Sequence, residues 1–347
     1  MSVATRFEGL DTRSRVVGGV GSVLLAATVL SFVLAPGLAL YLGGAFALFV
    51  LASLLVDEEH TVGFLLFVTT TSTVVILAFI TVYLLVNAVP VAREMGLYLL
   101  FGADPFWDTS RNVYSLIPMV WGTVLTTLIA TLVAAPLGVA GAVFISEIAP
   151  DWAREIVKPA VEMLAGIPSI VYGFIGFTII NQFMQQELSL PTFGSLFVTG
   201  FVVGIMALPT VVSVAEDAIA SVPDPMRDGA QALGATDWQT TTSVTLPAAF
   251  SGISAAVLLG VGRAVGETMA ATVILGNVTK LPDPLVDVFG NTITLTSLIA
   301  SQYGNASGLH FSALFAAGVF LFVTVMALSV GSQLIERRMR RTLGGEA

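Results

Sequence analysis

Val17 to Val56 reads VGGVGSVLLAATVLSFVLAPGLALYLGGAFALFVLASLLV, forty residues without a charged side chain. As one helix it would be about 60 Å long, twice the roughly 30 Å of bilayer hydrocarbon. Pro36-Gly37 interrupts it near the middle, because proline lacks the N–H that a helix ladder needs. The stretch therefore predicts two membrane spans, 17–34 and 38–56, joined by a tight turn. A cleaved signal peptide fits less well, since the second half is as apolar as the first.

The rest of the 347-residue chain has the same character, with 56% hydrophobic and only 11% charged residues. Its mean hydropathy is +0.92. Soluble domains carry about a quarter charged residues, so the solvent for most of this chain is lipid. That excludes a soluble enzyme, a nucleic-acid binder and a disordered linker. The absence of cysteine excludes disulfides, thiolate metal sites and cysteine nucleophiles, and two histidines, His60 and His310, are too few for a histidine-based metal cluster. No cofactor or metal is expected in this chain.

Six further charge-poor runs, 63–88, 116–145, 159–181, 193–215, 249–276 and 311–334, complete an all-α polytopic membrane protein of about eight helices. The polar stretch from Asn277 to Gly308 cannot span and is expected to be an outer loop with a short re-entrant piece. With the N-terminus inside, the inner segments hold ten basic residues: Arg6, Arg13, Arg15, Arg154, Lys158, Arg227, Arg337, Arg338, Arg340 and Arg341. The outer loops hold three, Arg93, Arg111 and Lys280, which places both termini in the cytoplasm. The expected organisation is a tail and extra hairpin over 1–60, a core over 61–340 with an inner loop at 216–248, and a cytoplasmic tail over 341–347.

Neither lysine follows a glycine-rich phosphate loop, so the chain is not expected to hydrolyse ATP itself. The zinc pattern H-E-x-x-H and the nucleophile elbow G-x-S-x-G are also missing, and no enzyme activity is expected.

Two segments carry chemistry. In the inner loop, Asp224 is suited to cap a helix and Pro225 to open it, and Gly234 is suited to the left-handed residue that ends one. The result is a short helix, 225–233, with Met226, Ala230 and Leu233 on one shallow apolar face. Thr236 is expected to cap a second short helix that stops before Pro247. Such a rigid element either transmits a push from a soluble partner or lies on lipid headgroups. The second segment is Gly260 to Ala270, where Arg263 falls near the middle of a 249–276 helix with Glu267 one turn further out. Charges at that depth cost roughly 2.5–3.5 kcal/mol each, so they are functional or paired. Four residues apart, they share a face, and either serve a pathway or lock helices together. Gly262-x-x-x-Gly266 would let another helix approach.

Asp228-Gly229-Ala230, then Gly234, then Val244-x-Leu246-Pro247 resembles the EAA loop of ABC-importer permeases, with Asp for Glu, Gly for the first Ala and Val for Ile. Arg263-Ala264-x-Gly266-Glu267-Thr268-Met269-Ala270, together with Ala165-Gly166-Ile167-Pro168-Ser169-Ile170-Val171-Tyr172-Gly173, is similar to the permeases of the phosphate-specific transport system, above all the C-type subunit. The resemblance covers about 61–340, and the hairpin at 17–56 departs from it. It implies a transmembrane permease subunit that moves inorganic phosphate inward. Permeases for another oxyanion such as sulfate or molybdate, and an ion-coupled secondary transporter, are the alternatives. It also implies a cytoplasmic ATPase subunit dimer that binds ATP and Mg, a second permease of the A-type, and an extracytoplasmic phosphate-binding protein. Met226, Asp228, Gly229, Ala230, Leu233, Gly234, Leu246 and Pro247 would then couple to the ATPase. Arg263, Glu267, Thr268 and Ser169 would line the substrate pathway.

Overall fold

The structure is a computed structural model that describes residues 12–188 and 194–342. The expected tails at 1–11 and 343–347 lie outside the described residues, as does 189–193. The chain divides into two compact units, Met1–Tyr83 and Leu84–Ala347.

In the first unit, α1 (Thr12–Leu34) and α2 (Pro36–Val56) form the expected hairpin. Ala35 breaks the helix and Pro36 opens α2, where its missing N–H costs nothing. Gly21 of α1 lets two rings pack close, since a Cβ there would meet Phe49 of α2 and Phe64 of the helix that follows, α3 (Glu58–Met95). No residue of α2 is buried, and its exposed Leu40, Tyr41 and Leu55 suit a lipid solvent. α3 (Glu58–Met95) begins in this unit and its last turns, from Leu84, belong to the second.

The second unit continues with α4 (Tyr98–Phe101) and a two-stranded hairpin of β1 (Trp107–Asp108) and β2 (Val113–Tyr114), paired antiparallel. α5 (Ile117–Val143) follows and ends in a π-helical turn, Phe144–Ile148. Then come α6 (Asp151–Ala165), α7 (Ser169–Ile175), a π-helical turn at Gly176–Asn181, α8 (Gln182–Leu188) and α9 (Leu196–Ala220). The segment after α9 forms α10 (Asp224–Ala232) and α11 (Asp237–Thr240), and a π-helical turn at Thr241–Thr245 leads into α12 (Leu246–Gly266). α13 (Met269–Leu275), α14 (Leu295–Gln302) and α15 (Gly308–Thr342) complete the chain.

Among the described residues, seven helices are long and apolar enough to cross a membrane. The run expected as a straight span over 159–181 is the exception, because α6 and the helix from Ser169 to Glu187 meet at 91°. Pro168 removes an amide from the ladder and pushes Ile167 out of the helical region, so the chain turns there. The run expected as an eighth span is therefore a bent helix pair, with the geometry of a broken span or a re-entrant loop.

α9 is the buried axis of the core. A Cβ on Gly200 would lie 2.6 Å from Ile129, and one on Gly204 2.8 Å from Val133, so α5 and α9 approach as closely as backbone allows. α12 closes against the same helix, where Gly260 meets Val211 and Gly252 meets Ala218. Ala134, Ala207, Val211, Ala215 and Ala256 fill the space between the three helices.

The polar stretch after α13 is exposed over much of its length, but its segment from Thr292 to Leu298 is buried. Ile293 donates to the Val278 carbonyl at 2.8 Å, and Phe197 at the start of α9 donates to Val288 at 2.7 Å. Thr292, Thr294 and Ser297 are buried, and Thr294 caps α14 by accepting from the Ser297 amide. The β1–β2 hairpin is held by Trp107, which donates to Gln302 Oε1 at 3.0 Å and packs edge-on to Tyr114.

Candidate functional site

In the inner loop, α10 starts one residue earlier than expected, and Pro223, not Asp224, is its N-cap. Proline at that position already holds the extended backbone an N-cap requires, while Asp224 falls in the first turn, where the helix dipole favours a carboxylate. The C-terminus is as expected. Gly234 has φ +90°, its amide donates to Gln231 at 2.9 Å, and the Ala235 amide donates to Ala230 at 3.1 Å. These paired bonds satisfy the last carbonyls of the helix through a left-handed residue.

Thr236 caps α11 in a reciprocal box, with its hydroxyl accepting from the Gln239 amide and Gln239 Oε1 accepting from the Thr236 amide. Gln231 donates to Asp237 Oδ1 at 3.0 Å and ties the two short helices together. The second helix does not stop before Pro247. The π-helical turn at Thr241–Thr245 carries it into α12, with Pro247 in that helix's first turn. A wider turn moves the preceding carbonyls off the ring that would clash with them, so the chain continues.

The resulting elbow presents Met226, Leu233 and Trp238, which are 47%, 92% and 63% exposed. Asp228, Gly229, Gly234 and Pro247 are also exposed, while Ala230 and Leu246 are half-buried. Nothing in the sequence marks Trp238 or Arg227 for this surface, where Arg227 is one positive charge among the inner ten. Arg227 reaches Glu147 at 3.2 Å, and no spacing in the sequence signals that pair.

The second group of residues lies where two helices break. α12 ends at Gly266, and Glu267 takes an extended conformation (φ −66°, ψ 127°) before α13 begins. The continuous 249–276 helix expected from the sequence is thus broken, and Arg263 and Glu267 do not share a helical face. Glu267 Oε1 instead accepts from the Ala270 amide at 3.1 Å and caps α13. Its carbonyl, freed by the break, accepts from Thr296 Oγ1 at 2.7 Å. Thr268 Oγ1 donates back to the Gly266 carbonyl at 3.1 Å. The tertiary hydroxyl of Thr296 and the local cap together replace the helical bonds that the break removes.

α7 and α13 pack against each other directly. Gly173 faces Ala270 and Gly176 faces Ile274, so the two helices run the same way, with the fifth residue of α7 level with the second of α13. The Ala165–Gly173 and Arg263–Ala270 segments, a hundred residues apart, therefore meet at their breaks. Tyr172 closes the α6–α7 break by donating to the Leu164 carbonyl at 3.0 Å.

Arg263 sits in the last turn of α12, where the helix dipole favours a cation. It is exposed and, among the described residues, has no carboxylate within ion-pairing distance. Among the described residues, no atom beyond the helix's own backbone lies within 4 Å of a Cβ placed on Gly262 or Gly266, so this face of α12 is open. Ser169 and Thr268 are half-buried at the starts of their helices. A guanidinium in a membrane span without a carboxylate faces water, an anion or a protein partner, not acyl chains.

A family described as the binding-protein-dependent transport system inner membrane component matches residues 134–341. The phosphate transport system permease protein PstC of Haemophilus influenzae is 36% identical over 273 residues, covering 73% of this chain and 85% of that protein. The probable ABC transporter permease protein YqgH of Bacillus subtilis is 42% identical over 60% of this chain and 68% of its own length. A subunit of the bacterial alginate ABC transporter, solved with its periplasmic protein, shares the fold at a TM-score of 0.56 and 16% identity, covering 81% of this chain and 97% of that one.

Proposed function

The chain belongs to the family of binding-protein-dependent transport system inner membrane components, in the branch of the PstC phosphate permeases, and from this premise we propose how its two sites divide the work. It is a multi-pass membrane permease. The cargo is inorganic phosphate, moving into the cytoplasm across the cell membrane. The chain forms one half of the pathway beside a second permease of the A-type, and both termini are cytoplasmic. An extracytoplasmic binding protein delivers phosphate, and a dimer of ATPase subunits docks on α10 and α11 and hydrolyses ATP with Mg.

The observation that carries the reading is the junction of the two broken helices beside an open, uncompensated Arg263. Phosphate carries roughly one to two negative charges near neutral pH, by analogy with a phosphoryl group. In a site of low dielectric it needs a cation and hydrogen-bond donors, and a planar guanidinium supplies both. Ser169, at the start of α7, is the nearby hydroxyl donor, and Thr268 joins it by turning its hydroxyl from the Gly266 carbonyl. Glu267 is committed to capping α13, so its part is to hold the break in shape. The exposed Met226, Leu233 and Trp238 support the docking assignment, because apolar anchors on a rigid elbow suit a groove in a soluble partner.

The test is to purify the four-component complex, reconstitute it in vesicles and measure ATP hydrolysis with binding protein and phosphate present. Stimulation by phosphate and not by sulfate or molybdate is expected. Stimulation by sulfate or molybdate alone would reassign the cargo, and none by any oxyanion would defeat the reading.

A further inference from the structure

We propose that the Arg227–Glu147 ion pair is the strut that transmits movement of α10 to the membrane spans. The inference rests on the reading of α10 as a docking helix and goes beyond it. A helix joined to its spans only by short connectors would swivel when pushed, so useful coupling needs a stiffer tie. Arg227 supplies one. Its Nη2 donates to the Ile219 carbonyl at 2.8 Å, in the last turn of α9. The same nitrogen lies 3.2 Å from Glu147 Oε1, in the π-helical turn that ends α5. Glu147 Oε2 in turn lies 3.3 Å from Thr241 Oγ1, in the π-helical turn that leads into α12, a hydroxyl shared with the Asp237 carbonyl at 2.9 Å. One guanidinium and one carboxylate thus join α10 to the inner ends of the three helices that form the core.

Burial and dipoles make this link specific. The two side chains are 23% and 11% exposed, so water screens the pair little. Glu147 stands at a helix C-terminus, where a negative charge is disfavoured unless a cation compensates it. Arg227 does that while also satisfying a terminal carbonyl of α9. Its other neighbour, Asp224, is 86% exposed at 3.8 Å and adds little. The Lys158–Glu216 pair, at 2.7 Å, is the natural contrast, because it joins α6 to α9 and does not touch α10. Glu147 and the Thr241 it meets both lie in π-helical turns, local distortions that recur at functional positions.

The test uses the complete complex in vesicles and reads phosphate uptake per ATP hydrolysed, together with the amount of ATPase subunit that co-purifies. Arg227→Gln and Glu147→Gln are expected to keep the ATPase subunit and its unstimulated hydrolysis. Uptake per ATP should fall by about tenfold, within the usual range of coupling between sites. Arg227→Lys should recover part of the loss, and Lys158→Gln should leave the ratio unchanged. An unchanged ratio in both Gln variants, an equal fall in Lys158→Gln, or loss of the ATPase subunit itself would overturn the strut.

If the Gln variants do not assemble, cysteines at 147 and 227 give a second measurement in a chain without native cysteine. Bridging them with a short bifunctional thiol reagent should raise uptake per ATP over the unbridged pair, and equal ratios would overturn the inference. A native complex without phosphate-stimulated hydrolysis would defeat the functional reading itself. Normal stimulation with unaffected variants would defeat the strut alone.

Discussion

Gly173 of α7 packs on the backbone of Ala270 of α13, so that a Cβ on Gly173 would lie 2.8 Å from the Ala270 Cα and 3.2 Å from its carbonyl oxygen. The two segments that carry the family resemblance are joined at this point. Anything larger than hydrogen must push α7 and α13 apart, because the obstacle is backbone. Gly173→Val is expected to cost about 1–3 kcal/mol as overpacking and to abolish uptake. Thermal unfolding in detergent and vesicle uptake check it. Gly262→Ala, in open space, is the control for stability alone.

Arg263→Gln should abolish phosphate uptake with little loss of assembled complex. Arg263→Lys should rescue only in part, because a point charge lacks the guanidinium fork. Since Glu267 caps α13 and does not pair with Arg263, combining Arg263→Gln with Glu267→Gln should not restore uptake. Recovery in that double variant would return the two residues to a locking pair. Glu267→Ala, which removes the oxygen facing the Ala270 amide, should cost about 0.5–2 kcal/mol, as lost caps do.

Gly234 holds φ +90° with nothing within 4 Å of where a Cβ would stand, so the obstacle to replacement is conformation and not space. Gly234→Val should cost about 1–2 kcal/mol locally and loosen the end of α10. The protein should still insert and bind its partner permease, while uptake is lost. Full uptake at normal expression would remove the docking assignment.

A cysteine at Gln186 or Asn305 should react with an impermeant thiol reagent added outside intact cells, and one at Ala232 should not. All three positions are exposed, so a failure to label reports sidedness and not burial. The reverse pattern would invert the orientation drawn from the ten-to-three count of basic residues.

In the β1–β2 hairpin, the Asp108 carboxyl is held below its ordinary range, first by the Ser110 hydroxyl at 2.6 Å and also by the Ser110 and Arg111 amides. Its folded-state pKa is depressed, so its support for the turn is present at neutral pH and is lost as pH falls through that value. Amide exchange at Ser110 and Arg111 should quicken in acid, and Asp108→Asn should remove that pH dependence.

What the sequence determined by itself is local. A forty-residue run without charge had to break at Pro36, because no other position combines a missing amide with an adjacent glycine. Gly234 had to end α10, since the left-handed turn there needs no partner from elsewhere. The Thr236 cap followed for the same reason. Proline alone, however, did not announce where helices bend. Pro90, Pro136, Pro159 and Pro209 lie inside continuous helices, whereas Pro168 starts a new one at 91° to the last. The difference is tertiary: α7 is held in its new direction by α13, and Tyr172 bridges the gap behind it. The break at Glu267 is likewise held by Thr296, 29 residues away, whose hydroxyl takes the carbonyl that a continuous helix would have used. Glu147 finds Thr241 across 94 residues. Hydrogen bonds freed by a bend must be satisfied by whatever packs beside it, and only the folded chain decides which residue that is.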